Sequence, residues 1–224
     1  FVSTSKGLFA QVNYQLSDAL RVTGGIRYTW DKRFINRHGW TPRVGGIPRC
    51  QAGPNAGVPV STVGTCENPE TAKFSYPAWT AGIDYKISPD IFVYLKTSGA
   101  SNSGGFNSRP VPPPYSSSFK PEDVRDIEAG FKGTFLDRRL RTNLAIFRAW
   151  QSNVQRIINT TFVDGSGATR LTQFVSNAGK ANTYGVELEA TVIPWHGMEI
   201  SSSAAYLHAR YKKGSRFETQ LVGG

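Results

Sequence analysis

The sequence predicts an all-β chain: about eight antiparallel strands forming a segment of a transmembrane β-barrel, with short turns at one end and long loops at the other. Three observations predict it. Period-2 alternation of apolar and polar residues recurs along the chain, whereas helical periodicity is weak. Short and long connections between the alternating segments follow one another strictly. Aromatic residues gather at segment ends, among them Trp30, Trp79, Trp150 and Trp195.

The predicted strands run roughly over 6–16, 19–32, 74–87, 90–99, 123–136, 139–157, 173–193 and 198–212. The second is the clearest. Leu20, Val22, Gly24, Ile26, Tyr28 and Trp30 fall on one face, and Arg21, Thr23, Gly25, Arg27, Thr29 and Asp31 on the other. Successive strand residues point to opposite faces, so one face is apolar and one polar. The third segment sets Trp79, Ala81, Ile83, Tyr85 and Ile87 against Thr80, Gly82, Asp84 and Lys86. The fifth sets Ile127, Phe131 and Phe135 against Asp126, Glu128 and Lys132, and the seventh sets Val186 and Leu188 against Glu187 and Glu189.

The short connections are Ser17-Asp18, Ser88-Pro89-Asp90, Leu136-Asp137-Arg138 and Trp195-His196-Gly197. Each contains Asp, Pro or Gly, which supply turn dihedrals or cap turn backbone. Residues 33–73, 100–122 and 158–172 form long connections, and the tail after Lys213 begins a fourth. A soluble sandwich has no reason to place every long loop at one end. An outer-membrane barrel does, with short periplasmic turns and long extracellular loops. Strands of about ten residues or more also suit a tilted crossing of the hydrocarbon. The apolar set Leu20, Val22, Ile26, Ile127, Phe131, Phe135, Val186 and Leu188 is then expected to meet lipid. The polar set Arg21, Arg27, Asp126, Glu128, Glu187 and Glu189 is expected to meet a wet lumen.

Composition excludes other classes. With 26 Lys plus Arg against 16 Asp plus Glu the net charge is +10, but the cations are spread over the whole chain. A nucleic-acid domain gathers them on one face, so no nucleic-acid partner is expected. No run of about 18 apolar residues marks a membrane helix. His38, His196 and His208 lie far apart, without carboxylates at ligand spacing, so no metal site or cofactor is expected. Gly104-Gly105 lacks the strand–helix context of a dinucleotide fingerprint. No nucleophile–base arrangement emerges, and the chain reads as a non-enzyme. Glu187 and Glu189 share a face and could pass for catalytic carboxylates. Lumen charges paired with Lys or Arg, here Lys132 or Arg141, are the simpler expectation.

Several phrases resemble the β-barrel of TonB-dependent outer-membrane receptors. They are Gly25-Ile-Arg-Tyr-Thr-Trp-Asp-Lys32, Ser98-Gly-Ala-Ser-Asn-Ser-Gly-Gly-Phe-Asn107, and Phe119-Lys-Pro-Glu-Asp123 leading into Ile127-Glu-Ala-Gly-Phe-Lys-Gly133. Leu140-Arg-Thr-Asn-Leu-Ala-Ile-Phe147 and the stretch Asn177 to Glu189 complete the set. Together they cover nearly the whole chain. The resemblance implies a bacterial outer-membrane location and a barrel of about 22 strands whose lumen is plugged. It also implies import of a ferric siderophore, or of an oligosaccharide, cobalamin or haem, powered by the TonB complex. No plug segment, TonB box or terminal aromatic strand is evident. Residues 1–224 are therefore expected to be an internal part of the barrel domain, with TonB engaged through a missing N-terminal part. The rival of another class is a soluble all-β carbohydrate-binding module.

Within that frame Cys50 and Cys66 lie in the longest loop with no competing cysteine. In an oxidising compartment they are expected to pair, restricting the unfolded chain by roughly 3 kcal/mol. Candidate ligand contacts are Trp40, Arg43, Arg49, Phe106, Asn107, Arg109 and Tyr115. Aromatic faces beside cationic donors suit anionic ferric chelates, through stacking and charge-assisted hydrogen bonds. The competing role for the loop arginines is contact with lipopolysaccharide phosphates, and outer-membrane lipid is the second expected partner.

Overall fold

A computed structural model describes residues 1–41, 46–50, 54–108, 111, 116–163 and 169–215. Fourteen strands and one helical turn follow in order. They are β1 (Val2–Gln15), β2 (Leu20–His38), β3 (Trp40–Thr41), β4 (Arg49–Cys50), α1 (Val60–Val63) and β5 (Glu67–Ser88). Then come β6 (Ile91–Asn102), β7 (Gly105–Phe106), β8 (Ser118–Phe119), β9 (Glu122–Phe135) and β10 (Leu140–Ser152). The last are β11 (Gln155–Val163), β12 (Thr169–Asn177), β13 (Ala181–Val192) and β14 (Ile200–Tyr211).

Eight of them form one antiparallel sheet in the order β1-β2-β5-β6-β9-β10-β13-β14, and three small two-stranded sheets pair β3 with β4, β7 with β8 and β11 with β12. The large sheet is open: β1 and β14 are its edges and do not pair with each other. Long strands joined by alternate short and long connections, as the pattern predicts, give a simple meander.

Register carries the apolar pattern across the sheet, with one shift between Lys86 and Ser88 beside a short turn. Tyr14 stands opposite Val22, Val22 opposite Ile83, and Ile83 opposite Leu95. Leu95 faces Ala129, Ala129 faces Ile146, Ile146 faces Val186, and Val186 faces Tyr206. A one-residue shift anywhere would move a strand's apolar set to the other side. All eight residues expected on the apolar face lie on it, and all six expected on the polar face lie on the other. The apolar face is the more exposed one: Ile26 is 58% exposed and Ile146 52%.

Apart from Ile35 and Ala181 at the long-connection ends of β2 and β13, the buried hydrophobic residues among those described lie outside the large sheet. Ile158, Phe174 and Ala178 form a cluster with Val111 against it, all above the sheet at the end of the long connections. We call this layer the cap. Its strands differ from the sequence expectation in two places. The predicted segments 139–157 and 173–193 are each two strands. Asn153 (φ 53°) and Gly179 (φ 141°) break them in register, at conformations that Asn and Gly tolerate best. Val154, fully buried, bridges the break through backbone bonds to Gly179 and Ala178. The expected loop 158–172 is therefore mostly the β11–β12 hairpin, which forms its own two-stranded sheet apart from β10 and β13. Likewise 33–73 is not all loop, because β2 and β5 stay paired out to His38 opposite Glu67.

Candidate functional site

The polar face is lined by partnered charges. Arg21 pairs with Asp84 at 2.6 Å. Glu128 accepts from the Tyr94 hydroxyl at 2.7 Å and pairs with Lys96 at 3.0 Å. Tyr94 can cross to Glu128 because it lies flat over Gly130, where any Cβ would collide with its ring. Asp126 takes the Ser98 hydroxyl at 2.8 Å, and Arg27 reaches Thr29 at 3.3 Å. Glu189 accepts from Asn143 at 3.1 Å. The expected partnership with Arg141 is not formed: that guanidinium reaches Glu199, 3.4 Å away. These contacts give a hydrophilic wall in which Asp84, Asp126, Glu128 and Glu189 each hold a neighbouring strand.

At the long-connection end the wall meets the cap through residues that sequence reasoning passed over. Arg33 donates to Ser103 at 3.2 Å. Arg37 is ion-paired with Glu70 and donates to the Asn107 carbonyl at 2.9 Å. Burial lowers the pKa of Arg37 from its ordinary value, yet a guanidinium stays charged at neutral pH. Glu70 also accepts from Ser117 at 2.9 Å. Farther across, Gln155 donates to the carbonyls of Ser103 and Lys120, each at 3.0 Å. Asn177 donates to those of Lys120 and Asn153. The β6–β9 connection is thus clamped between the β2–β5 extension and the β11–β12 hairpin.

Four candidate contacts fall within the described residues. Trp40 stands in β3 opposite Cys50 and is 56% exposed, free to offer its ring. Arg49 donates to the Gly57 carbonyl at 2.6 Å and so braces the tip of its own loop. Phe106 lies in β7 opposite Ser118. Asn107 is only 6% exposed. Its side-chain amide donates to the Val175 carbonyl (2.9 Å) and accepts from the Val175 N–H (2.7 Å), mimicking a strand partner for β12. Arg43, Arg109 and Tyr115 lie outside the described residues. Trp40 and Phe106 belong to different small sheets. Cys50 and Cys66 are bonded as a disulfide, both buried beneath the tip that carries α1. Among the described residues no group of three His, Cys, Asp or Glu is placed to hold a metal ion. No helix is long and apolar enough to cross a membrane, which says nothing of strands.

A meander with one apolar and one hydrophilic face, its long connections all at one end, defines the wall of a large antiparallel barrel. The family model described as TonB dependent receptor-like, beta-barrel matches residues 1–223, and the chain belongs to that family. Its members are outer-membrane transporters. Solved structures agree in fold. The ferric yersiniabactin uptake receptor FyuA from Yersinia pestis superposes with a TM-score of 0.69 at 17% identity, covering 95% of this chain and 28% of that one. The copper transporter OprC gives 0.69 at 16%, covering 95% and 30%. The ferric-catecholate import receptor Fiu from E. coli gives 0.61 at 20%, covering 95% and 28%. The chain therefore spans under a third of the length of these structures.

Proposed function

We propose that this chain forms part of the wall and outer mouth of an outer-membrane, TonB-driven receptor that imports a ferric siderophore. The observation that carries the reading is the inversion of the sheet. An apolar face left exposed over eight strands is stable only against lipid, and the partnered polar face then lines the lumen. The open edges at β1 and β14 pair with further strands of a longer chain. Unpaired backbone groups in hydrocarbon cost several kcal/mol each, so a sheet with lipid-exposed edges is not viable. Plug and TonB contact are assigned to the rest of that chain.

The cargo reading is supported by the likeness in fold to receptors for ferric yersiniabactin and ferric catecholates. A cap with exposed Trp40 and a cationic sequence also suits an anionic chelate. The role is capture and passage, without catalysis. The test is uptake of radiolabelled iron in a strain lacking the parent receptor and complemented with it. A panel of catecholate, hydroxamate and phenolate chelates is supplied, with cobalamin, haem and oligosaccharides as competitors. TonB-dependent uptake of at least one ferric chelate is expected. Uptake of only an iron-free cargo would overturn the siderophore assignment and leave the receptor assignment standing.

A further inference from the structure

We propose that Lys86, Phe92 and Lys132 form an exit-side binding site on the lumen wall for an anionic ferric chelate with aromatic rings. This rests on the receptor reading above and names the class of chelate. Short connections face the periplasm, so the site lies at the far end of the wall from the mouth. The three residues make one row across adjacent strands: Lys86 stands opposite Phe92, and Phe92 opposite Lys132. The row continues to Asn143 and Glu189 on the same hydrophilic face. All five line a cavity of about 410 Å³.

The two lysines differ from the other cations of the wall. Arg21, Lys96 and Arg141 each have a carboxylate partner. Among the described residues, Lys86 and Lys132 have no ion pair within 4.0 Å. Two acids line the same cavity without reaching them. Glu189 lies at the far end of the row, where it accepts from Asn143 at 3.1 Å. Asp90 lies in the short turn between β5 and β6. Both ammonium groups are therefore open to a ligand in the cavity.

Phe92 adds an aromatic face between the two charges. Ile91, Val93 and Leu95 take the apolar side of β6, whereas Phe92 stands on the hydrophilic side, where a ring gains nothing from lipid. Its ring lies 6.0 Å from that of Tyr94, whose hydroxyl is fixed to Glu128 at 2.7 Å, so it is braced on one side. Neighbouring strands lie ~4.8 Å apart, which sets the two lysine backbones roughly 10 Å apart with Phe92 midway. A catecholate or phenolate ring stacked on Phe92 presents its oxygens to an ammonium on either side, through charge-assisted hydrogen bonds. The register shift between Lys86 and Ser88 falls inside this site. Such irregularities re-aim side chains and are frequent beside functional sites. The mixture of aromatic and cationic groups expected at the mouth is thus assembled on adjacent strands at the exit.

The test measures uptake of radiolabelled iron by cells carrying the full-length receptor, once heat-modifiable migration has established an assembled barrel. The probes are the ferric complex of 2,3-dihydroxybenzoate, anionic and aromatic, and ferrioxamine B, cationic and aliphatic. Lys86→Gln/Lys132→Gln should lower maximal uptake of the first probe on the order of tenfold. Its half-saturation concentration should not change, because capture at the mouth is untouched. Lys86→Arg/Lys132→Arg should restore uptake, and Phe92→Leu should lower it roughly threefold. The Phe92 variant reads the site by itself if the glutamine pair fails to assemble. Lys32→Gln/Lys73→Gln makes the same charge change on the apolar face and should leave maximal uptake unaltered. Full uptake by the glutamine variant, or a loss confined to half-saturation, would overturn the site. Wild-type cells that take up ferric chelates but refuse the first probe would overturn the aromatic class. A carboxylate from the rest of the chain is the other source of such an anion. TonB-independent entry of vancomycin in the glutamine variant would assign the lysines to it and overturn the chelate site. No wild-type uptake of any ferric chelate would overturn the siderophore reading instead.

Discussion

Ile26 and Phe174 are both large apolar side chains on antiparallel strands, yet Ile26 is 58% exposed and Phe174 only 3%. The first belongs to the sheet, whose apolar face has no protein against it. The second belongs to the cap, which packs a small core over the long-connection end. One chain thus contains two solvent logics. The sheet is held by backbone ladders and by hydrogen-bonded charges on its hydrophilic side. The cap is held as any soluble domain is, by burial and by polar side chains that satisfy backbone groups. The difference teaches that exposure of apolar residues identifies a medium, not a defect.

That contrast can be broken most sharply by truncating both side chains. Phe174→Ala should destabilise the cap by roughly 3–5 kcal/mol, read as faster hydrogen exchange over residues 154–178. Ile26→Ala, made where detergent or lipid already covers the side chain, should leave exchange in β1 and β2 unchanged. Equal effects would mean that the sheet face is buried in protein after all. Charge tests the converse. Ile26→Arg should cost roughly 2–4 kcal/mol in a bilayer and impair assembly of the heat-modifiable form, while Thr23→Arg on the polar face should assemble normally. Removal of the disulfide comes next. Cys50→Ser/Cys66→Ser should lose roughly 3 kcal/mol at the tip, seen as proteolytic nicking between β3 and β5 with the sheet intact. Smallest is Asn107→Ala. It leaves the Val175 N–H and carbonyl without their side-chain partner, at a cost of roughly 1–3 kcal/mol. Faster exchange of the Val175 amide, with β9 and β10 unaffected, is the expected signature.

The sheet was legible in the sequence because each of its faces meets a single medium, so period-2 alternation persists over ten or more residues. The cap was not, for two physical reasons. Beyond Trp30 the pattern changes phase: Ile35, on the hydrophilic side of β2, is buried by the cap. Alternation therefore looked as if it ended near residue 32, although pairing continues to His38. The cap's contacts are also remote in sequence. Arg37 meets the Asn107 carbonyl across 70 positions and Asn107 meets Val175 across 68. No local signal encodes such a pairing, and so a buried structural amide read as a ligand contact. Asn153 and Gly179 did offer a clue, since both residue types favour the backbone that breaks the strands there.

The register of the sheet also governs how this molecule can change over generations. Within the eight paired strands the register shifts at one place, between Lys86 and Ser88 beside a short turn. Deleting a single residue between Leu20 and Trp30 would swap the destinations of every side chain on one flank, bringing arginines toward the apolar side. Lineages can therefore gain or lose residues in these strands only in pairs or next to turns. The cap is under no such parity rule, and loop tips accept insertions readily. Length variation should pile up between β3 and β5 and between β7 and β8, while strand lengths stay fixed. New specificities can be drafted at the mouth without renegotiating the wall.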